Sequence, residues 1–364
     1  MMWEVFTVSE RRVSTEEVLS KVVSEFKVIK GKESINRVIE FAVLFDASNS
    51  NPNGSFPENM PREIPGTGQI YVTQESYKKR GKDALRNVLE DKGLYEEQPR
   101  GEIFDKVTMW VSGRAVDPTI RFEEIVGTGV SVKKGKNKVK VDKMEEWAMP
   151  YFLSSAIDAI SFGAVVPVMG NINLTGPIQV IDAVSVHPVE IIPEGGTAAF
   201  TTGEEKGQRS TRQEYKVGYA LLSGGGVFLP GYLNDSVFSS ESESVRGIKI
   251  RNFFTAHHLE VWIRAIWTGF ATQYMTTSKN IRPVALIVAE YDGWYIKHFL
   301  ARKMQEILWS MLKDRKPAGI TDISDEIIGT VERIKSDIPD VRIWTMKSVI
   351  DIPGADDGEE IILR

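Results

Sequence analysis

Any chemistry in this chain would have to come from a small set of residues. Asp46 is a carboxylate at the end of an apolar run, Val38 to Asp46 (VIEFAVLFD), and Ala47-Ser48-Asn49-Ser50-Asn51-Pro52-Asn53-Gly54 follow it directly. A lone carboxylate can bind a metal ion or move a proton, but no second acid or ligand set stands near it to complete such a site. A turn-forming or capping use of Asp46 remains open. The asparagines and glycine suit another chemistry, because carboxamides and backbone amides can hold phosphates and sugar hydroxyls without any net charge. Further on, Lys79, Lys82 and Arg86 stand at i, i+3 and i+7, so a helix would stack them on one narrow arc. Such a row fits opposite a polyanion, or it is a solvated face. His257-His258 are adjacent, and on a helix they point about a hundred degrees apart, which is wrong for chelating one metal. Gly-x-Ser-x-Gly, Walker and His-Glu-x-x-His motifs are all missing.

The elements that must position these residues are readable in part. Val38 to Asp46 has the length of a buried strand, and the Asn, Ser, Pro and Gly residues after it are expected to end it. A long stiff loop with Pro57, Pro61, Pro65, Gly66 and Gly68 follows. Thr73 then serves as the N-cap of a helix that Gly93 can end, with Tyr77, Ala84, Leu85, Val88 and Leu89 as its apolar arc. Residues 1–30 read as a peripheral element with a Ser14/Glu17 capping box. Ile125 to Val141 reads as part of an inserted β-rich lobe. Its basic hairpin carries Lys133, Lys134, Lys136 and Lys138, and is either a second nucleic-acid contact or a charged turn that keeps an edge strand soluble. From Val184 to Tyr219 two strand-like arms frame a glycine-rich tip with Lys206, Arg209 and Arg212, as in a long projecting hairpin. Gly224-Gly225-Gly226 lacks the Gly-Lys-Ser/Thr of a phosphate loop and is expected to be a tight turn. A helix from Phe254 to about Gly269, a strand over Val284–Ala289 and a helix from about Trp294 to Lys313 complete the pattern.

At 364 residues the chain can bury a substantial core, as two or three domains or as one with large insertions. Its formal net charge is −5, so nucleic acid would have to be bound by local patches. Two exist. Residues 72–86 carry five Lys/Arg against two acids, and residues 131–143 carry six Lys against one. The chain has no cysteine, which removes disulfides, thiolate metal sites and cysteine nucleophiles. With neither a signal-peptide pattern nor a membrane-length apolar run, the expectation is a cytoplasmic protein with no membrane contact and no cofactor.

Several motifs in one order resemble the CRISPR-associated family seven, the backbone subunit of type I interference complexes (Cascade). They are Asn51-Pro52-Asn53-Gly54, Asn59, Pro61-Arg62, Thr67-Gly68, Val72-Thr73 and the Lys/Arg-rich helix. Phe162-Gly163-Ala164-Val165, Thr175-Gly176-Pro177-Ile178-Gln179, Glu214-Tyr215-Lys216-Val217, and Thr277 and Lys279 before Pro283 and Tyr291 continue the series. The flavour is closest to subtype I-B, with I-C as neighbour. Ser55-Phe56-Pro57 replaces the acidic residue that the family usually places after Asn-Pro-Asn-Gly, and Gly81 interrupts the helix.

The resemblance implies an α+β fold with an RNA-recognition-motif-like (ferredoxin-like) palm over 31–94, 151–183 and 217–350. It also implies a β-rich finger insertion over 95–150, a thumb hairpin over 184–216 and an acidic tail over 351–364. The implied function is non-catalytic: the subunit polymerises head to tail along CRISPR RNA and presents that guide for pairing with target DNA, beside other subunits of the complex. Asn51, Asn53, Gly54, Arg62, Thr73, Lys78, Lys79, Lys82, Arg86, Thr277, Ser278 and Lys279 would contact the RNA. Lys133, Lys134, Lys136, Lys138, Lys206, Arg209 and Arg212 would be secondary contacts. The alternative is a metal-dependent ribonuclease using Asp46, as in related type III backbone subunits.

Overall fold

The computed structural model describes residues 35–90, 108–109, 116–134, 139–145, 147–166, 172–197, 211–234, 248–272 and 280–358. In chain order its strands are β1 (Val38–Ser50), β2 (Gly54–Ser55), β3 (Met60–Ile64), β4 (Gln69–Val72), β5 (Val130–Lys134), β6 (Val139–Met144), β7 (Gly163–Val166), β8 (Ile172–Thr175), β9 (Ile178–Ser185), β10 (Ile191–Thr197), β11 (Thr211–Phe228), β12 (Ile281–Tyr291), β13 (Arg342–Thr345) and β14 (Asp356–Asp357). The helices are α1 (Gln74–Glu90), α2 (Pro118–Val126), α3 (Ala148–Ser155), α4 (Ile157–Phe162), α5 (Ala256–Thr272), α6 (Leu300–Leu312) and α7 (Ser324–Asp337). The fold is mixed α and β around one large sheet. The chain divides into two compact units, one of residues 36–91, 178–229 and 259–364, the other of 1–35, 92–177 and 230–258.

The first unit is organised on a sheet of order β14-β13-β12-β1-β11-β9-β4-β3-β2, with β10 paired to β11. β1 lies at its centre, antiparallel to both β11 and β12. It is apolar on both sides because both sides are covered, as alternation along a strand requires. Phe45 stacks on Phe270 of α5 with ring centroids 4.1 Å apart, and Tyr77 of α1 lies 6.5 Å from the same ring. Ala42 and Leu44 point the other way, into a core shared with Met304 and Leu308 of α6 and Val331 and Ile334 of α7.

Three expectations are corrected here. β1 runs on through Ser50 where an end at Asp46 was expected: Ala47 pairs with Ala220 and Ile281, Ser48 with Tyr219 and Ser50 with Val217. Ladder pairing on both sides outweighs the local turn preference of these residues. The long loop after it likewise contains β2, β3 and β4. Gly224-Gly225-Gly226 is no turn but the middle of β11, paired with β1 and β9 across a bulge. A Cβ on Gly226 would lie 2.3 Å from the Gln179 carbonyl oxygen and 2.8 Å from Phe41, and one on Gly225 would meet the Phe41 carbonyl oxygen at 2.1 Å. Here glycine serves close packing on a strand. The hydroxyl of Tyr77 reaches the Ile181 and Gly225 carbonyls beside the bulge.

Finally, the helix expected from Trp294 begins at Leu300, and α5 continues past Gly269 to Thr272. Gly81 proves useful: its α1 backbone approaches Ile266 of α5 so closely that a Cβ would sit 3.2 Å from that side chain.

In the second unit, Asp117 caps α2 by accepting from Thr119 and Ile120 at 2.8 and 3.3 Å, with Pro118 in the first turn. The region read as β-rich thus holds helix α2 as well as the hairpin β5–β6. β7 and β8 form a separate antiparallel pair, and Phe122 packs on Phe152. The capping box at Ser14 and Glu17 lies outside the described residues.

Candidate nucleic-acid interface

The Asn-Pro-Asn-Gly turn and α1 are joined by direct bonds. Asn51 is buried, and its side-chain NH₂ donates to the Asn59 carbonyl at 2.6 Å. Asn53 accepts the backbone N–H of Thr73 at 2.9 Å. Gly54 has no room for a side chain, since a Cβ would stand 1.8 Å from the Asn59 carboxamide oxygen. Arg80 of α1 is buried, and its guanidinium donates to the Pro52 carbonyl at 3.4 Å and lies 5.9 Å from the Phe270 ring centroid. Burial lowers its pKa to about 10. Thr73 caps α1 by accepting from Ser76, and Asp182 accepts the Gln74 N–H at 2.8 Å. The turn, the cap and the helix therefore form one rigid piece, with Phe56 at the tip of the β2–β3 turn 95% exposed.

The cations on α1 are not an isolated row. Lys79 pairs with Asp83 at 2.7 Å, one helical turn away. Lys78 donates to Gln74 at 3.0 Å, and its pKa is lowered by burial, with the charge of Lys82 acting the same way. Lys82 is half-buried, and Arg86 belongs to the last turns of the same helix. Arg62 lies on β3, partly buried, opposite Tyr71 of β4. Thr277, Ser278 and Lys279 lie outside the described residues.

Asp46 is fully buried and held by Arg282, whose Nε and Nη2 donate to its two oxygens at 2.9 Å each. Burial raises the pKa of Asp46, and the hydrogen bond and charge of Arg282 oppose that rise. The guanidinium remains half-exposed. Among the described residues no group of three or more His, Asp or Glu could hold a metal ion, and no helix is long and apolar enough to cross a membrane. His258 sits in the core with its Nδ1 accepting from the Thr255 N–H at 3.0 Å.

In the second unit, hairpin β5–β6 sets Lys133 opposite Lys140, with Lys133 paired to Asp142 at 2.8 Å and Lys134, Lys140 and Lys143 exposed. Lys136 and Lys138 lie outside the described residues. The arms of the projecting hairpin are β10 and the first part of β11, where Arg212 stands opposite Gly196. Lys206 and Arg209 lie outside the described residues.

Sequence reasoning missed Arg80, Arg282 and Glu40. Glu40 had a signal: an acid in the middle of an apolar strand must find partners. It accepts from the backbone N–H groups of Lys297, His298 and Leu300 and from the Tyr291 hydroxyl.

Residues 37–327 match the family model of the CRISPR-associated protein Cas7. Among solved structures, a chain of "CRISPR RNA-guided surveillance complex, pre-nicking" is 11% identical with a TM-score of 0.49, over 88% of this chain and 95% of that one. A chain of "CRISPR RNA-guided surveillance complex" is 11% identical with a TM-score of 0.44, over 88% and 93%. No curated protein matches the sequence.

Proposed function

The chain belongs to the Cas7 family of CRISPR-associated proteins, and on that premise we propose that it is a non-catalytic subunit that binds CRISPR RNA as the backbone of a type I interference complex. Copies line up head to tail on the guide and leave its bases free to pair with target DNA, so base pairing supplies specificity while protein holds the sugar-phosphate chain. Other subunits of the complex are its further partners.

The observation that carries this reading is the single rigid piece made by the Asn-rich turn and α1. It ties the Asn53 carboxamide to the helix whose sequence carries Lys78, Lys79, Lys82 and Arg86, and carboxamide and cationic groups together suit a nucleotide backbone. Phe56 offers an exposed ring face beside them for a base to stack on. The strand order β12-β1-β11-β9, with α1 and α5 as connections on one face, supports an RNA-recognition-motif-like palm. On it the 95–150 region is the finger and the 184–216 hairpin the thumb, and Thr277–Lys279 precede β12 as further contacts.

The use of both Asp46 oxygens by Arg282 favours a structural role for that carboxylate over a ribonuclease. Purified protein should carry single-stranded RNA with repeat-derived ends, prefer such RNA to duplex DNA, and leave labelled RNA intact in Mg²⁺. Preference for the duplex would sink the reading, as would cleavage that Asp46→Asn abolishes.

A further inference from the structure

Arg282 stands in β12 directly opposite Asp46 of β1, and the two are unevenly placed. The Asp46 side chain is 1% exposed and the Arg282 side chain 47%. Taking a carboxylate out of water is unfavourable, and Arg282 offsets this from one side of its guanidinium. Its Nε reaches Oδ1 at 2.9 Å and Oδ2 at 3.2 Å, and its Nη2 reaches Oδ2 at 2.9 Å. A guanidinium carries N–H donors on all three nitrogens. Among the described residues no acceptor takes those of Nη1 or the second of Nη2.

That outer edge is fixed as well as open. Asp46 is laddered on both sides, to Leu221 of β11 and to Arg282 itself. The Tyr219 hydroxyl lies beside its carboxylate, and just before β12 begins the Ser48 N–H donates to the Asn280 carbonyl at 3.1 Å. Arg302, paired with exposed Glu306 on α6, keeps most of its rotamer freedom. Arg282 is instead clamped by a carboxylate that burial and the ladder hold in place. Its open pair of nitrogens matches two oxygens of one phosphate, which a rigid fork binds with a directionality that a point charge lacks.

We infer that Arg282, oriented by Asp46, binds a phosphate of the RNA, an inference that rests on the RNA-binding function proposed above. Ser50, the last residue of β1, is four residues beyond Asp46, about 13 Å at about 3.3 Å each, and the Asn-rich turn follows directly. Alternation along β1 puts Asp46 on the face of Ala42 and Leu44, where Tyr219 also packs, whereas α1 lies on the face of Phe45. Arg282 and α1 thus flank the sheet from opposite faces, and a strand held by both crosses the end of β1. Asp46 is a positioning residue in this arrangement: it touches no RNA and sets the direction of the residue that does.

The test titrates the full chain against a fluorescein-labelled single-stranded RNA over a range of salt, with melting temperatures alongside. Arg282→Lys keeps the charge and loses the fork, so affinity should fall about tenfold with the salt slope unchanged. Asp46→Asn removes a negative charge, and charge alone would then tighten binding to a polyanion. Loss of the clamp should instead weaken it by about threefold or more. The double variant Asp46→Asn/Arg282→Gln leaves no buried charge unpaired, and it should lower the log–log slope by about 0.7, as for one single-strand phosphate. Affinity of Arg282→Lys equal to that of the unaltered chain overturns the inference, as does tighter binding by Asp46→Asn or an unchanged slope in the double variant. If Asp46→Asn does not fold, the other two variants decide. Should all three bind RNA as before, the open edge belongs to a carboxylate of a protein partner, and this inference alone falls. If the unaltered chain does not bind the RNA, the function proposed above fails.

Discussion

The carboxamide oxygen of Asn53 accepts the backbone N–H of Thr73 at 2.9 Å, so the Asn-rich turn is tied to the residue that caps α1. Asn53→Ala should cost about 1 kcal/mol of stability, the usual net worth of such a bond, and should weaken RNA binding as well. Asn53→Asp keeps the acceptor. It should restore the unfolding temperature but not the affinity, since it sets a negative charge beside phosphate. Thermal unfolding and fluorescence anisotropy separate the two effects.

Neutralising Lys79, Lys82 and Arg86 to glutamine should flatten the dependence of RNA affinity on salt. Each single-strand phosphate deprived of its cation lowers the log–log slope by about 0.7, so the triple variant should be shallower by about 2. Folding should change little, because the Lys79–Asp83 pair is a partly exposed ion pair of less than about 1 kcal/mol. An unchanged slope would place the RNA elsewhere.

His187 is buried, with Nδ1 on the Pro188 carbonyl at 2.8 Å and Nε2 accepting from the Leu221 N–H at 3.1 Å. The bond from Leu221 needs the neutral ring, and burial lowers its pKa from 6.5, with the Pro188 carbonyl opposing that fall. Its contribution to stability is therefore complete above pH 6.5 and is lost as pH falls through the lower folded value. Imidazole NMR should show the ring titrating below pH 6.5. The fall in urea midpoint from pH 7 to pH 5 should be steeper than in His187→Gln.

Gly226→Ala places a methyl 2.3 Å from the Gln179 carbonyl oxygen and 2.8 Å from Phe41. Backbone cannot yield there without breaking the β11–β9 pairing, so the variant should lose about 1–3 kcal/mol or more. Denaturant unfolding measures the loss directly. An alanine tolerated without change would mean that β11 is not packed as described.

What could be read in advance follows a physical line. The apolar run of β1, the cap at Thr73 and the arc of α1 are local signals; the run and the cap stand in the structure, as do Tyr77, Ala84, Leu85 and Val88 of the arc. The extension of β1 through Ser50 and the close packing of three consecutive glycines in β11 depend on neighbours far along the chain, which local turn preference cannot see. The same holds at the candidate site. The charge of α1 was legible, but the use of Asp83 as a partner for Lys79, and of Arg80 as a clamp on Pro52, required the folded arrangement. α7 and β13 were not anticipated at all, although α7 completes the core beside Leu44.

That core has a last implication. With α1 and α5 on one side of β1 and α6 and α7 on the other, β1 itself offers no open face for nucleotides to lie across. A thread bound as proposed would run past strand ends and turns, with ribose and phosphate as the parts nearest the sheet. A reader so constructed would be indifferent to spelling.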